Sequence, residues 1–261
     1  MIQITKWQGG FGNNLIQLIN AIKIAEVEKI KVVKFPTHNL LTKNNINFNF
    51  LNLQNKNLQG TFFKINQKME PIEMKEKFHK YIEPIFKLNI LSNPYQFKKN
   101  ELTVHIRSGD IFNKNPHSSY VQPPLSYYLK LLEKYNLNLV FQDYKNPCIK
   151  RLLLNDGVQN VSRQTLVQDL FYLINSKNLA IGHGTFGFAV YIISKNLQNL
   201  YIPHFSFLDF PIGNWGSEIN IHTIELKNYI KKGNWKNSYL QRRKMLNYKL
   251  KDEFILQSKN N

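Results

Sequence analysis

A chain of 261 residues with 43% hydrophobic content is long enough to bury a real core, as one large domain or two small ones, and this excludes an acidic disordered polymer. The formal net charge of +18 calls for an anionic partner such as nucleic acid, anionic lipid or a phosphorylated substrate. A single cysteine, Cys148, excludes an intramolecular disulfide framework and any multi-cysteine metal site, and fits reducing surroundings.

Residues 2–7 alternate as a short strand, and "MIQITKWQGGFGNN" reads as this strand rather than as a basic leader before an apolar core. Gly9, Gly10 and Gly12 then make a turn. From Asn14 the apolar positions Leu15, Leu18, Ile19, Ile22 and Ile24 keep helical spacing, and "KIKVVKF" supplies a second β-rich run. The result is a βαβ unit with glycines at its first strand-to-helix crossing. In residues 38–100 short apolar pieces are broken by Pro71, Pro84 and Pro94, and a helix is predicted around residues 74–88. "LLTKNNINFNFLNLQNKNLQ" here is Lys- and Asn-rich drift, so part of the net charge is compositional and no specific nucleic-acid partner is expected.

"ELTVHIR" is the next strand, followed by a loop through Pro116, Pro123 and Pro124 and by the helix "LSYYLKLLEKY". Alternation then becomes regular: strand "LNLVFQD", helix "NPCIKRLLLN", helix "QTLVQDLFYLINS", strand "NLAIGHG", helix "TFGFAVYIISK", strand "NLYIPH". This spacing predicts an α/β fold with a mainly parallel sheet and helices on both faces. Together with the N-terminal βαβ unit it predicts two Rossmann-like domains, residues 1–100 and 101–225, and a basic helical tail over residues 226–261. No 18 apolar residues run uninterrupted, so no spanning helix is predicted and the expected location is the cytoplasm.

Ligands in such sheets sit beyond the carboxyl ends of the strands, so the crossings are where chemistry is expected. In "QGGFGNN" the glycines permit close backbone approach or positive φ, and the following helix N-terminus offers N–H groups to an anion; a plain tight turn is the alternative. In "VHIRSGDIF" alternation sets Val104 and Ile106 on one face and His105 and Arg107 on the other. Arg107 can fork onto a phosphate and Asp110 can orient it or bind a hydroxyl, the alternative being an Arg–Asp pair that holds a loop. In "IGHGTFGFAV" the strand ends at His183, Gly184 turns, and Thr185 can cap a helix beginning at Phe186; with the adjacent N–H groups it would form a second phosphate cradle, a simple N-cap being an equally good reading of Thr185. His183 reads equally well as a polar core histidine.

The order "GGFGNNLIQLINAIKIAE", "VHIRSGDIF", "LSYY", "VQDLFYLINSKNLAIGHGTFGFAVYI" resembles the inverting fucosyltransferases that share an HxRxGD peptide, and among them the bacterial α-1,2-fucosyltransferase family. The resemblance covers about two thirds of the chain. It implies a GT-B fold, two Rossmann-like domains facing each other across a cleft, and metal-independent, inverting transfer of a sugar from a nucleotide-diphosphate donor, with no cofactor beyond that co-substrate. By position it implies that Arg107 grips the donor's β-phosphate while His105 and Asp110 shape the site. It further implies that Gly10 and Asn13 approach the donor from the N-terminal domain and that Thr185 with Phe186 closes on the diphosphate, with Gly12, His183 and Gly184 among the donor-binding residues. For Asp143, in "FQD", the resemblance implies a position facing the nucleotide.

Two departures bear on the donor. Family members carry two consecutive arginines where this chain has Arg107 and Ser108, and an Asn-Ser-Ser-Phe turn where it has "HGTF". By the resemblance GDP-fucose is the expected donor; the departures weigh against it and make a UDP-linked pentose such as UDP-xylose the alternative, with a non-catalytic anion or nucleic-acid binding module as the rival. No Asp-x-Asp pair occurs, which argues against a metal-dependent GT-A arrangement. A base must accept the acceptor's proton: Asp110 is the first candidate, followed by His183, Asp209 and Glu218.

Residues 227–251 hold nine Lys or Arg and no Asp or Glu, interleaved with Trp235, Tyr239, Leu246, Tyr248 and Leu250. This predicts either a solvated helix packed back on the N-terminal domain or a peripheral contact with an anionic membrane bearing a lipid-linked glycan acceptor; nucleic-acid binding by it would be unspecific.

Overall fold

A computed structural model describes residues 1–65, 69–88, 95–162, 165–205 and 214–256. The chain is an α/β protein with two sheets. In the first, β1 (Ile2–Ile4) leads through α1 (Phe11–Val27) into β2 (Val32–Lys34), which pairs parallel to it as the glycine turn and helical spacing predict. Two strands that the polar sequence between residues 38 and 60 conceals complete this sheet. β3 (Asn45–Asn47) pairs antiparallel to β2, and β4 (Leu58–Gly60) parallel to β1, in the order β3-β2-β1-β4. Next comes α2 (Pro71–Lys77), which starts three residues before the predicted helix because Pro71 at its first turn has no N–H to lose. It runs on through one π-helical turn, Phe78–Ile82, and a 3-10 turn, Glu83–Ile85.

The second sheet holds β5 (Glu101–Ile106), β6 (Asn136–Phe141), β7 (Val158–Asn160), β8 (Asn178–Ile181), β9 (Asn199–His204), β10 (Asn220–Glu225) and β11 (Ile255–Leu256). Its order is β11-β10-β9-β8-β5-β6-β7, all parallel except the β10–β11 pair. The six parallel strands, read from β7 to β10, follow the strand order of the Rossmann-type doubly wound sheet. Neither β7 nor β10 is predicted from the sequence, because their exposed or polar residues break the apolar runs.

Helices cover both faces. α3 (Leu125–Leu132) and α4 (Pro147–Leu152) bury Tyr127, Tyr128, Leu131, Cys148 and Ile149 against Leu102, Val104 and Ile106 of β5. On the other face α5 (Leu166–Ile174) and α6 (Thr185–Ile193) bury Leu170, Leu173, Val190 and Ile193 against Leu179 and Ile181 of β8. α6 packs directly on α1, so the buried cluster of the first sheet, including Ile2, Ile4 and Ile22, continues into that of the second.

The basic tail departs from its predicted form. It is helical only over α7 (Tyr239–Asn247), and it packs on α3 and α4 of the second sheet rather than back on the N-terminal half. The reason lies in the apolar residues between its lysines: Tyr229, Ile230, Trp235 and Met245 are buried anchors in the same cluster as Tyr127 and Cys148. Among the described residues no helix is long and apolar enough to cross a membrane.

Candidate functional site

β5 and β8 lie side by side, yet the chain leaves β5 toward β6 on one side and β8 toward β9 on the other. Their outgoing loops therefore diverge and open a crevice at the carboxyl edge of the sheet, the switch point at which doubly wound folds hold ligands. The register pairs His105 with Ile181, so two residues further on Arg107 and His183 reach this edge together.

Arg107 is held there from several sides. Its Nη2 donates to Asp110 Oδ1 at 2.9 Å, because the 3-10 turn Gly109–Phe112 folds the largely exposed Asp110 back toward it. The guanidinium lies over the Tyr120 ring, 5.1 Å from its centroid, and Arg107 Cδ and Nη1 come within 4.0 Å of the Cβ position that Gly184 leaves empty. Arg107 Nε is buried and has no hydrogen-bond partner among the described residues.

The loop behind Arg107 is fixed by Ser108. Ser108 is buried, donates its hydroxyl to Asp143 Oδ1, and accepts from the Asn146 N–H at 3.1 Å. The same carboxylate oxygen accepts from the N–H groups of Gly109 (3.3 Å) and Lys145 (2.9 Å). Burial pushes the Asp143 carboxyl up, but the Ser108 hydroxyl and these N–H groups outweigh it and hold the group below the usual aspartate range. The resemblance implies that Asp143 faces a nucleotide; the structure has it bracing the Arg107 loop through this oxygen.

The second glycine turn adjoins. Gly184, at φ 135°, is the N-cap of α6, and Thr185 is its first helical residue. The predicted capping role of Thr185 is not what the side chain does. Its hydroxyl donates to Asn13 Oδ1 at 2.6 Å, a bond 172 residues apart in sequence. Gly12 makes that approach possible: a Cβ there would lie 2.5 Å from the Thr185 carbonyl carbon and oxygen and 2.7 Å from the Phe186 nitrogen. The exposed Gly10 is the N-cap of α1, with extended backbone and nothing within 4 Å of its Cβ position. The N-terminal ends of α1 and α6 thus meet beside Arg107. Phe186 packs its ring 4.8 Å from that of His105.

Both histidines are kept neutral. Burial, reinforced by the charge of Arg107, pushes His105 down to about 3. His183, itself buried, is pushed down to about 4 by desolvation and then by the charges of Lys232 and Arg107. Of the remaining base candidates, Glu218 is engaged with Lys75 at 3.5 Å, and Asp209 lies outside the described residues.

Three residues join this constellation that the motifs do not flag: Tyr120 beneath Arg107, Gln122, and Lys232 from the basic segment. Gln122 is fully buried, donates through Nε2 to the His183 carbonyl at 3.2 Å, and leaves its Oε1 without a partner among the described residues. An aromatic residue in the loop after an arginine motif is a readable signal for Tyr120; Lys232 carries none, since it is one of nine cations in a basic run.

Comparison with known proteins finds no family model, no curated protein and no solved structure that matches the chain.

Proposed function

We propose that the chain is a glycosyltransferase, metal-independent and inverting, that moves a sugar, L-fucose from GDP-fucose by the sequence resemblance, onto a hydroxyl of a glycan acceptor in surface polysaccharide, lipopolysaccharide or glycoprotein synthesis. One observation carries this reading: Arg107, with a buried unpartnered Nε–H, stands at the switch point where the N-terminal ends of α1 and α6 meet. A buried N–H without a partner costs about 1–3 kcal/mol, which a phosphate oxygen would recover. Negative charge grows on the diphosphate as the sugar C1–O bond breaks, and a fixed guanidinium with helix N–H groups stabilises it without reorganising. The acceptor oxygen attacks C1 from the opposite face and its proton passes to a carboxylate, for which Asp110 beside Arg107 is our choice.

In this reading the two sheets are the halves of a GT-B enzyme, with the acceptor on the side of the first. The enzyme works in the cytoplasm. A lipid-linked acceptor would be met through α7, where the exposed Tyr239 and Leu240 adjoin the exposed Arg242 and Arg243.

The test is thermal denaturation with GDP, GDP-fucose, UDP and UDP-xylose in the presence of EDTA, followed by a donor-hydrolysis screen. GDP or GDP-fucose should raise Tm and Arg107→Ala should abolish the rise. Protection by UDP alone would move the donor to the UDP class on the same scaffold. Anion binding that survives Arg107→Ala and collapses steeply with salt would replace the enzyme by a non-catalytic binding module.

A further inference from the structure

Arg107 brings one positive charge to the switch-point crevice, and Asp110 already answers part of it at 2.9 Å. A leaving diphosphate carries more than one negative charge, so a site built to receive it needs a second cation. Residues 229–237 of the basic segment are strapped along the loop that follows the Arg107 motif. Tyr229 donates its hydroxyl to the Gln122 carbonyl (3.1 Å), and the Trp235 N–H donates to the Ser118 carbonyl (3.0 Å). Trp235 Nε1 donates to the Ile111 carbonyl (2.8 Å) and Asn237 Nδ2 to the Asn113 carbonyl (2.9 Å).

This strap runs beside the site rather than away from it. Gln122, gripped by Tyr229, itself holds the His183 carbonyl, and the Tyr229 ring is 6.4 Å from Phe205, whose ring is 6.1 Å from that of His183. Lys232 is half-buried midway along the strap, between Tyr229 and Trp235. Its charge and that of Arg107 both act on the His183 imidazole.

We infer that Lys232 is the second phosphate-binding cation of the Arg107 site, delivered by the strap of residues 229–237; this rests on the diphosphate reading above. The basic segment then acts locally, completing the anion site from the far end of the chain. Lys232 meets the phosphate as a point charge, whereas Arg107 supplies the planar fork.

Isothermal titration calorimetry with pyrophosphate, GDP and GMP on the full chain, at low and moderate salt, tests this. Lys232→Ala should weaken pyrophosphate and GDP by about tenfold or more, the loss of one charge-assisted contact, and GMP by less. Lys232→Arg should restore most of the affinity. Lys231→Ala, which removes the same charge from an exposed neighbour, should stay within about twofold of the parent. Equal weakening by Lys231→Ala and Lys232→Ala would overturn the inference, since general field strength would then explain both. Parent-like binding by Lys232→Ala, with binding lost in Arg107→Ala, would overturn it while leaving the diphosphate reading intact. If the parent binds none of the three anions, the diphosphate reading falls and the inference with it.

Discussion

Gly12→Ala should separate the two halves of the molecule. The added methyl would stand 2.5 Å from two backbone atoms of Thr185 and 2.7 Å from the Phe186 nitrogen, against ordinary contact from 3.4 Å upward. Relief requires α1 and α6 to part by about 0.9 Å, and because the obstacles are backbone no rotamer change helps. Overpacking of well-packed interiors costs about 1–3 kcal/mol, and this site belongs at the upper end, near 3 kcal/mol. The shift also stretches the 2.6 Å Thr185–Asn13 bond, so the proposed nucleotide binding should weaken with stability. Urea unfolding followed by tryptophan fluorescence reads the interface directly, since Trp215 packs 4.7 Å from the Tyr191 ring on α6. Gly10→Ser is the control: its Cβ meets nothing within 4 Å, φ is −85°, and serine is a favoured N-cap, so it should lie within about 0.5 kcal/mol of the parent or be slightly stabilising. A Gly12→Ala protein as stable as Gly10→Ser would refute the close approach of the two helix ends.

The desolvated, neutral His183 and His105 make stability fall in acid. The unfolded chain binds their protons near pH 6.5, whereas the folded one does so only near about 4 for His183 and about 3 for His105. Their contribution is complete above pH 6.5 and is lost as pH falls toward 4, at up to about 1.4 kcal/mol per pH unit for each; His183→Gln should flatten the slope of unfolding free energy between pH 6 and pH 4.5. Ser108→Ala should cost about 1–3 kcal/mol by stranding the buried Asn146 N–H, while Ser108→Arg, which sets a second arginine directly after Arg107, should destabilise the fold instead of tightening the proposed GDP binding, because position 108 is 3% exposed. Cys148 is fully buried and its thiol is pushed well up by desolvation, so a thiol reagent should label it only at the rate of global unfolding; rapid labelling of the native protein would contradict this packing.

Elements whose apolar residues keep period without interruption were legible. α1, α3, α5, α6 and the strands β5, β6, β8 and β9 carry their own burial pattern, so local periodicity identifies them. β3, β4, β7 and β10 do not, because each is short or polar and is held as a strand mainly by its neighbours' backbone groups. The tail misled for a related reason: its charges dominate the composition, but Trp235 and Met245 decide where it packs.

The site divides in the same way. Local chemistry marks Arg107, Gly12, Gly184 and Thr185 as residues of crossings, since glycine turns and a charged strand end are written in a few adjacent letters. That Thr185 reaches Asn13 instead of its own helix, that Ser108 braces Asp143, and that Tyr120 lies under Arg107 depend on which loops the strand order brings together. The sequence by itself thus determined the α/β alternation and the glycine-bearing strand-to-helix crossings, because hydrophobic period and turn chemistry act over a few residues. Only the tertiary structure decided that these crossings share one crevice and that the basic segment is strapped along the loop after Arg107, because strand order and helix packing are set by contacts between residues far apart in sequence.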